Sequence, residues 1–163
     1  MGTGVAVSDL EKITHTKMNL KLESVAESEV DSSSGRGLGL LRVARALYNF
    51  AVDGGATSTI TLADNATLPD NAVIVGATIN PTTAPVGATA TISFGTLAGS
   101  STTSLLAATA IASFTLDALI NGVPTFAVPL KLTASGSITI TIAVAALTAG
   151  VIEISLLYFV AAA

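Results

Sequence analysis

Few residues in this 163-residue chain have types and spacings that suggest chemistry. Asp64-Asn65 and Asp70-Asn71 offer oxygen ligands six residues apart, the kind of donor calcium takes. The spacing matches no calcium loop, and Asp and Asn are equally the residues of turns, which is the preferred reading. Asp53 before Gly54-Gly55 reads as a turn residue for the same reason. Asn65-Ala66-Thr67 is a glycosylation sequon, which has meaning only for a secreted chain. The single histidine, His15, has no partner nearby in sequence and reads as a solvated side chain. Gly35-Arg36-Gly37-Leu38-Gly39 contains a G-x-G, but no strand precedes it, so it is a poor phosphate loop. No cysteine is present, which excludes disulfides, thiolate metal sites and a cysteine nucleophile. One histidine cannot build a multi-histidine metal site, and no carboxylate pair is placed by a readable pattern for acid–base work. With nucleophile, base and orienting group all missing, the chain reads as a non-enzyme without metal or cofactor.

The remaining signals concern surfaces. Up to residue 45, six acids (Asp9, Glu11, Glu23, Glu27, Glu29, Asp31) balance six bases (Lys12, Lys17, Lys21, Arg36, Arg42, Arg45). Beyond it, Asp53, Asp64, Asp70, Asp117 and Glu153 face Lys131 alone, so the later part carries the net charge of −4. That balance argues against nucleic acid as a partner. Arg36, Arg42 and Arg45 form a loose basic cluster. It could pair locally with the acids from Glu23 to Asp31 or dock on an acidic surface. The two chemistries imply two units, an arm over 1–40 ending in the linker Ser32-Ser33-Ser34-Gly35-Arg36-Gly37 and a body over 41–163.

In the arm, Ser8-Asp9-Leu10-Glu11 fits a helix capping box. Met18, Leu20 and Leu22 then alternate with Asn19, Lys21 and Glu23. This strand-period stretch has no sheet of its own and is expected to add to a neighbour's sheet. A disordered tail is the competing reading.

The body repeats period-two runs between turn signals. The expected strands are Ala44 to Val52, Thr57 to Leu62, the continuous apolar run Ala72 to Ile79, Thr89 to Phe94, and a short one around Phe114 to Leu119. An edge strand interrupted by Pro129 (Thr125 to Thr133), Ile138 to Val144 and Ile152 to Phe159 complete the set. Leu105 to Ala112 reads equally as helical turn, strand or crossing loop, and Pro81 and Pro85 are expected to bracket a loop. The prediction is an all-β fold, an antiparallel β-sandwich or jelly roll of about eight strands with an extended N-terminal arm.

Half the residues are hydrophobic and only 11% are charged. The apolar runs are nevertheless broken by Thr, Ser and Gly too often for a membrane span, which needs about 20 apolar residues. No membrane partner is therefore expected. There is no signal-peptide pattern, and Ala6 spoils the myristoylation motif opened by Met1-Gly2, so synthesis in a cytoplasm is expected. The last strand is apolar on its outward phase at Leu157 and Phe159. With so little charge on the body, these residues are expected to lie in an interface between copies of the chain or with a host assembly.

Tyr48-Asn49-Phe50-Ala51-Val52-Asp53-Gly54-Gly55, Leu68-Pro69-Asp70-Asn71-Ala72 and Ile142-Ala143-Val144-Ala145-Ala146-Leu147-Thr148-Ala149-Gly150 together resemble the small β-rich head decoration, or cement, proteins of tailed bacteriophages. The resemblance covers about residues 44 to 160 and leaves the arm out. It implies a structural protein on the virion surface, homotrimeric, with the major capsid protein as its partner. A tail-fibre or other receptor-binding module is the alternative. Such modules usually display exposed aromatics around polar pockets, whereas most aromatics here sit at core-phase positions.

Overall fold

The computed structural model describes residues 41–97 and 100–161, all in the unit Leu41–Ala163. Met18, Leu20, Leu22 and Arg36, with the rest of the expected arm, lie outside the described residues.

Two antiparallel sheets form the body. The larger places β1 (Arg42–Asn49) between β3 (Asp64–Asn65) and β10 (Ala149–Val160). β10 pairs in turn with β4 (Ala72–Val86), whose far edge is shared by β7 (Ile120–Asn121) and β8 (Leu130–Lys131). The smaller sheet runs β2 (Thr59–Thr61), β9 (Ile138–Ala143), β5 (Thr91–Thr96), β6 (Leu106–Ala110). The fold is the expected all-β antiparallel sandwich, and it is not a closed barrel. The ten strands among the described residues include three beyond the expected set: the two-residue β3 and β7, too short to leave a periodic trace in sequence, and β6 in the ambiguous stretch Leu105 to Ala112.

Alternation builds the core. Ala44, Ala46 and Tyr48 of β1 lie opposite Leu156, Ile154 and Ile152 of β10, and Ile154 and Leu156 lie opposite Ile79 and Ala77 of β4. All of these side chains are buried. From the other sheet, Ile138, Ile140 and Ile142 of β9 and Ile92 and Phe94 of β5 complete the same cluster. Asn65 ties the sheets together: its Nδ2 donates to the Ile138 carbonyl (2.9 Å) and its Oδ1 accepts from the Ile138 N–H (3.2 Å). Thr139, on β9, is buried with no partner for its hydroxyl.

Several expected elements differ. β1 stops at Asn49, and Phe50–Asp53 forms a single helical turn, α1, in place of further strand. Asn49 Oδ1 caps it by accepting from the Ala51 N–H (3.0 Å), while Asp53 Oδ2 accepts from the Asn49 N–H (2.8 Å). This reciprocal pair competes successfully with period-two alternation. Gly54 ends the turn at φ +76°, a conformation costly for other residues. β4 runs through Pro81 and Pro85 instead of breaking into a loop there. Proline lacks only the donor, and the carbonyls keep pairing, as when the Asp117 N–H donates to Pro81 O (2.9 Å). No strand forms over Phe114 to Leu119, and between Thr125 and Thr133 only Leu130–Lys131 pairs. β9 ends at Ala143, because Val144 adopts φ +71° at the centre of a tight turn in which the Ala145 N–H donates to Ala143 O (2.9 Å). The ambiguous Leu105 to Ala112 is both strand and turn: β6, then a 3-10 turn over Ile111–Ser113.

Tyr48 gives the fold an alkaline limit. Its side chain is buried, and its hydroxyl donates to Gly54 O (2.8 Å). Burial, helped by the nearby Asp53 carboxylate, pushes its pKa up from 10.0 to about 12. The folded state therefore holds the phenol proton more tightly than the unfolded chain. The corresponding stability is complete below pH 10 and is lost as pH rises through 12, amounting to at most about 3 kcal/mol. The melting temperature is expected to fall over that window, and Tyr48→Phe to flatten the fall. Parallel alkaline curves for the two proteins would refute this.

Candidate assembly interface

The outer face of the larger sheet is where side chains of β1, β10 and β4 meet solvent. Registers set its rows. Val43 lies beside Leu157 and Gly76; Arg45 beside Ser155 and Thr78; Leu47 beside Glu153 and Asn80; Phe159 beside Val73. Apolar groups therefore gather at the end where β1 begins, and polar ones towards its other end. Leu157 and Phe159 are half-buried and Val43 is 60% exposed. Gly76 leaves a notch in this face, a depression of ≈ 270 Å³ lined by Val43, Gly76, Thr78, Ser155, Leu156 and Leu157. A register shift between Leu157 and Tyr158 puts an extra residue into β4 at Val75, which lets both Ile74 and Ala77 face the core around Gly76.

Arg42 and Arg45 fall on different phases of β1. They are three residues apart on a strand, so Arg42 falls in the core-facing phase, at the exposed sheet end, and Arg45 in the outward phase. Arg45 reaches Glu153 at 3.6 Å with both side chains well solvated, a weak pairing. The same face carries Asp64, which lines a second depression of ≈ 180 Å³ with Arg45 and Glu153.

Of the four residues that offered oxygen ligands, Asn65 and Asp70 have their side chains engaged by the fold. Asn65 spends its amide on Ile138, and Asp53 accepts from both Asn49 N–H and Ala63 N–H (2.8 and 2.9 Å). Asp70 Oδ1 accepts from the N–H of Asn71, which sits at φ +59°. Among the described residues no three acidic or histidine side chains come together. No helix among them is long and apolar enough to cross a membrane.

Sequence reasoning missed a second surface. Between β6 and β8, Leu116, Leu119, Val123, Phe126 and Val128 are all more than half exposed. Phe126 is the exception among aromatics: Tyr48, Phe94, Phe114 and Tyr158 are buried, and Phe50 and Phe159 are half-buried. A signal was present in Pro124-Thr125-Phe126-Ala127-Val128-Pro129, where two prolines frame a segment too short for a strand.

No protein-family model matches the sequence, and no curated protein matches it. Solved structures do share the fold. A chain in the acid-stable capsid structure of Helicobacter pylori bacteriophage KHP30 superposes with a TM-score of 0.53 at 16% identity, covering 74% of this chain and 87% of that one. A chain in the cyanophage Pam1 capsid asymmetric unit gives 0.54 at 20% identity, covering 83% and 96%. The β-sandwich described above is thus a fold found in bacteriophage capsids.

Proposed function

We propose that this chain is a non-enzymatic structural protein of a virion, a decoration or cement protein that binds the outside of a phage head and stabilises the shell. The observation that carries the reading is the shared fold over nearly the full length of a capsid chain. A face of low charge around Val43, Leu157 and Phe159, suited to burial against protein, supports it. The partners are the major capsid protein and further copies of the chain, with the trimer as the expected assembly. The arm over residues 1–40 ties the body to its neighbours through Met18, Leu20 and Leu22, added as a strand. Arg36, Arg42 and Arg45 then meet acidic groups at the junction. Among the described residues β6 ends its sheet, with exposed Ala107, Ala108 and Ala110 and no charge or proline, an edge suited to such pairing.

Purified full-length protein mixed with capsids of the virus that encodes it is expected to co-sediment with them, to appear on their outer surface in electron micrographs, and to raise the temperature at which they rupture. Binding to host cells with none to capsids would overturn this reading in favour of a receptor-binding module.

A further inference from the structure

We propose that β6 of one copy takes residues 18–22 of a second copy as an antiparallel fifth strand of the smaller sheet. The proposal deepens the part played by the arm in the reading above and rests on it, adding the docking site, the register and the direction.

Among the described residues β6 has a neighbour on one side only. Its Thr109 lies opposite Ile92 of β5, and the Ile111 N–H donates to Ala90 O (3.0 Å). Planar peptides then turn the Ala108 carbonyl and both polar backbone groups of Ala110 away from β5. Both alanines are exposed, so little side chain stands in the way of a further strand. The loop that follows lies along this open side. It leaves β6 at Ile111 and meets β4, where the Asp117 N–H donates to Pro81 O (2.9 Å) and the Gly122 N–H to Ala77 O (2.8 Å). It then returns to the start of β6, where the Val123 N–H donates to Leu105 O (2.8 Å). The loop thus closes the side of the sandwich between β6 and β4, and it leaves Leu116, Leu119 and Val123 more than half exposed. An extended segment bonded to β6 would lay its inward side chains over this apolar shelf.

Pattern, charge and reach select the arm of a second copy. With Asn19 opposite Ala110 and Leu20 opposite Thr109, Asn19 and Lys21 take the outward phase. Met18, Leu20 and Leu22 take the inward phase, over the shelf. The open backbone groups then find partners: the Asn19 N–H donates to Ala110 O, the Ala110 N–H to Asn19 O, and the Lys21 N–H to Ala108 O. Charge fixes the direction. Residues 12–22 carry Lys12, Lys17 and Lys21 and no acid. Asp117 is exposed, towards the Ile111 end of the loop, and has no ion pair among the described residues. Lys131, opposite Val73, stands eight residues along β4 from Pro81, about 26 Å of strand, too far to neutralise it. An antiparallel strand brings Lys17 to the Asp117 end, whereas a parallel one carries it to Val123. The point of attachment selects a second copy. β1, where the described chain begins, lies towards the side at which Asn65 of β3 ties the two sheets, and β6 ends the opposite side. Residues 23–41 would span up to roughly 60 Å when extended, enough to reach a copy alongside. Donor segment and acceptor edge are different surfaces, so the contact is heterologous and closes into a ring when the rotation allows.

The test uses full-length protein without capsids. Ala110→Pro removes one donor of the edge; Ala110 already has φ −62°, the proline value, and its N–H faces away from β5. Leu20→Asp charges the inward phase of the arm and lies outside the described core cluster. Each is expected to keep the wild-type melting temperature and to move the dissociation of the oligomer, followed by sedimentation, to at least about tenfold higher concentration. If Ala110→Pro lowers the melting temperature, Leu20→Asp and the following cross-link decide alone. The chain contains no cysteine, so separately produced Asn19→Cys and Ala110→Cys proteins, mixed and mildly oxidised, should give a 19–110 disulfide between two chains. Residues directly opposite in such a pair stand about 5.5 Å apart, within disulfide range. Adding Leu20→Asp to the Asn19→Cys chain should abolish the cross-link. A monomeric wild type, an unchanged oligomer in both variants, or no 19–110 cross-link in the mixture would overturn the proposal. So would a disulfide formed only within one chain when both cysteines are placed in it, since the arm would then pair with its own body. An Ala110→Pro variant that assembles normally but loses capsid binding would overturn it too, because a segment of the shell would then occupy the edge. Failure here leaves capsid binding intact as a reading, and failure of capsid binding leaves this contact standing.

Discussion

Ile140→Asp is expected to unfold the body. Ile140 is fully buried on β9, opposite Ile60 of β2 and Phe94 of β5, in the middle of the smaller sheet. Aspartate there removes apolar volume from the core and leaves a carboxylate with no donor to meet it. The combined cost is about 4–6 kcal/mol, comparable with the whole stability of a domain this size, roughly 6–15 kcal/mol. Thr139→Val, one residue earlier, is the control. It replaces a buried hydroxyl that lacks a partner by a methyl group of the same shape, so it is expected to be neutral or mildly stabilising. Urea titrations followed by far-UV circular dichroism should show a lost or much earlier transition for the first and an unshifted or later one for the second. A transition for Ile140→Asp near the wild-type midpoint would contradict a two-sheet core centred on this strand.

Deleting residues 1–35 is expected to leave the body folded and to weaken capsid attachment by about 10²- to 10⁴-fold, the range by which tethering a second contact raises avidity. Among the described residues the core cluster begins at Ala44 and joins both sheets, so the truncated chain is expected to keep its sandwich. In the proposed attachment, a Ser/Gly linker would let the arm reach a neighbour without fixing the angle of the body. The arm's mixed charges would set register more than affinity, so part of the intact protein's binding should fall with salt. Capsid occupancy measured against protein concentration at two ionic strengths separates the terms. Equal occupancy and equal salt resistance of truncated and intact protein would show that the arm plays no part in attachment.

The sequence by itself determined the fold class, and particular strands show why. From Ile138 to Ile142 and from Ile152 to Tyr158, one phase is apolar without interruption. A period of two leaves only one way to hide it, so both runs are strands with the expected residues inward. The outward placement of Leu157 follows from the same alternation. Local chemistry beyond the hydrophobic pattern was harder to read. The Asn49–Asp53 reciprocal cap turns the chain into α1 although alternation continues through Phe50 and Val52, and Val144 leaves β9 although its side chain fits the strand phase.

Only the tertiary structure decided which residues share a surface. Val43, Gly76 and Leu157 are distant in sequence, and the notch they form exists because β1, β10 and β4 pair in one particular register. Arg42 and Arg45 look like neighbours in sequence but fall on opposite phases of one strand. Phe126 reads as part of an edge strand until Gly122 and Leu132 pin its two ends to β4 and leave the ring in solvent. Periodicity is a local property, imposed by the backbone residue by residue. Register and loop docking are set by hydrogen bonds between segments tens of residues apart, and no local pattern encodes them.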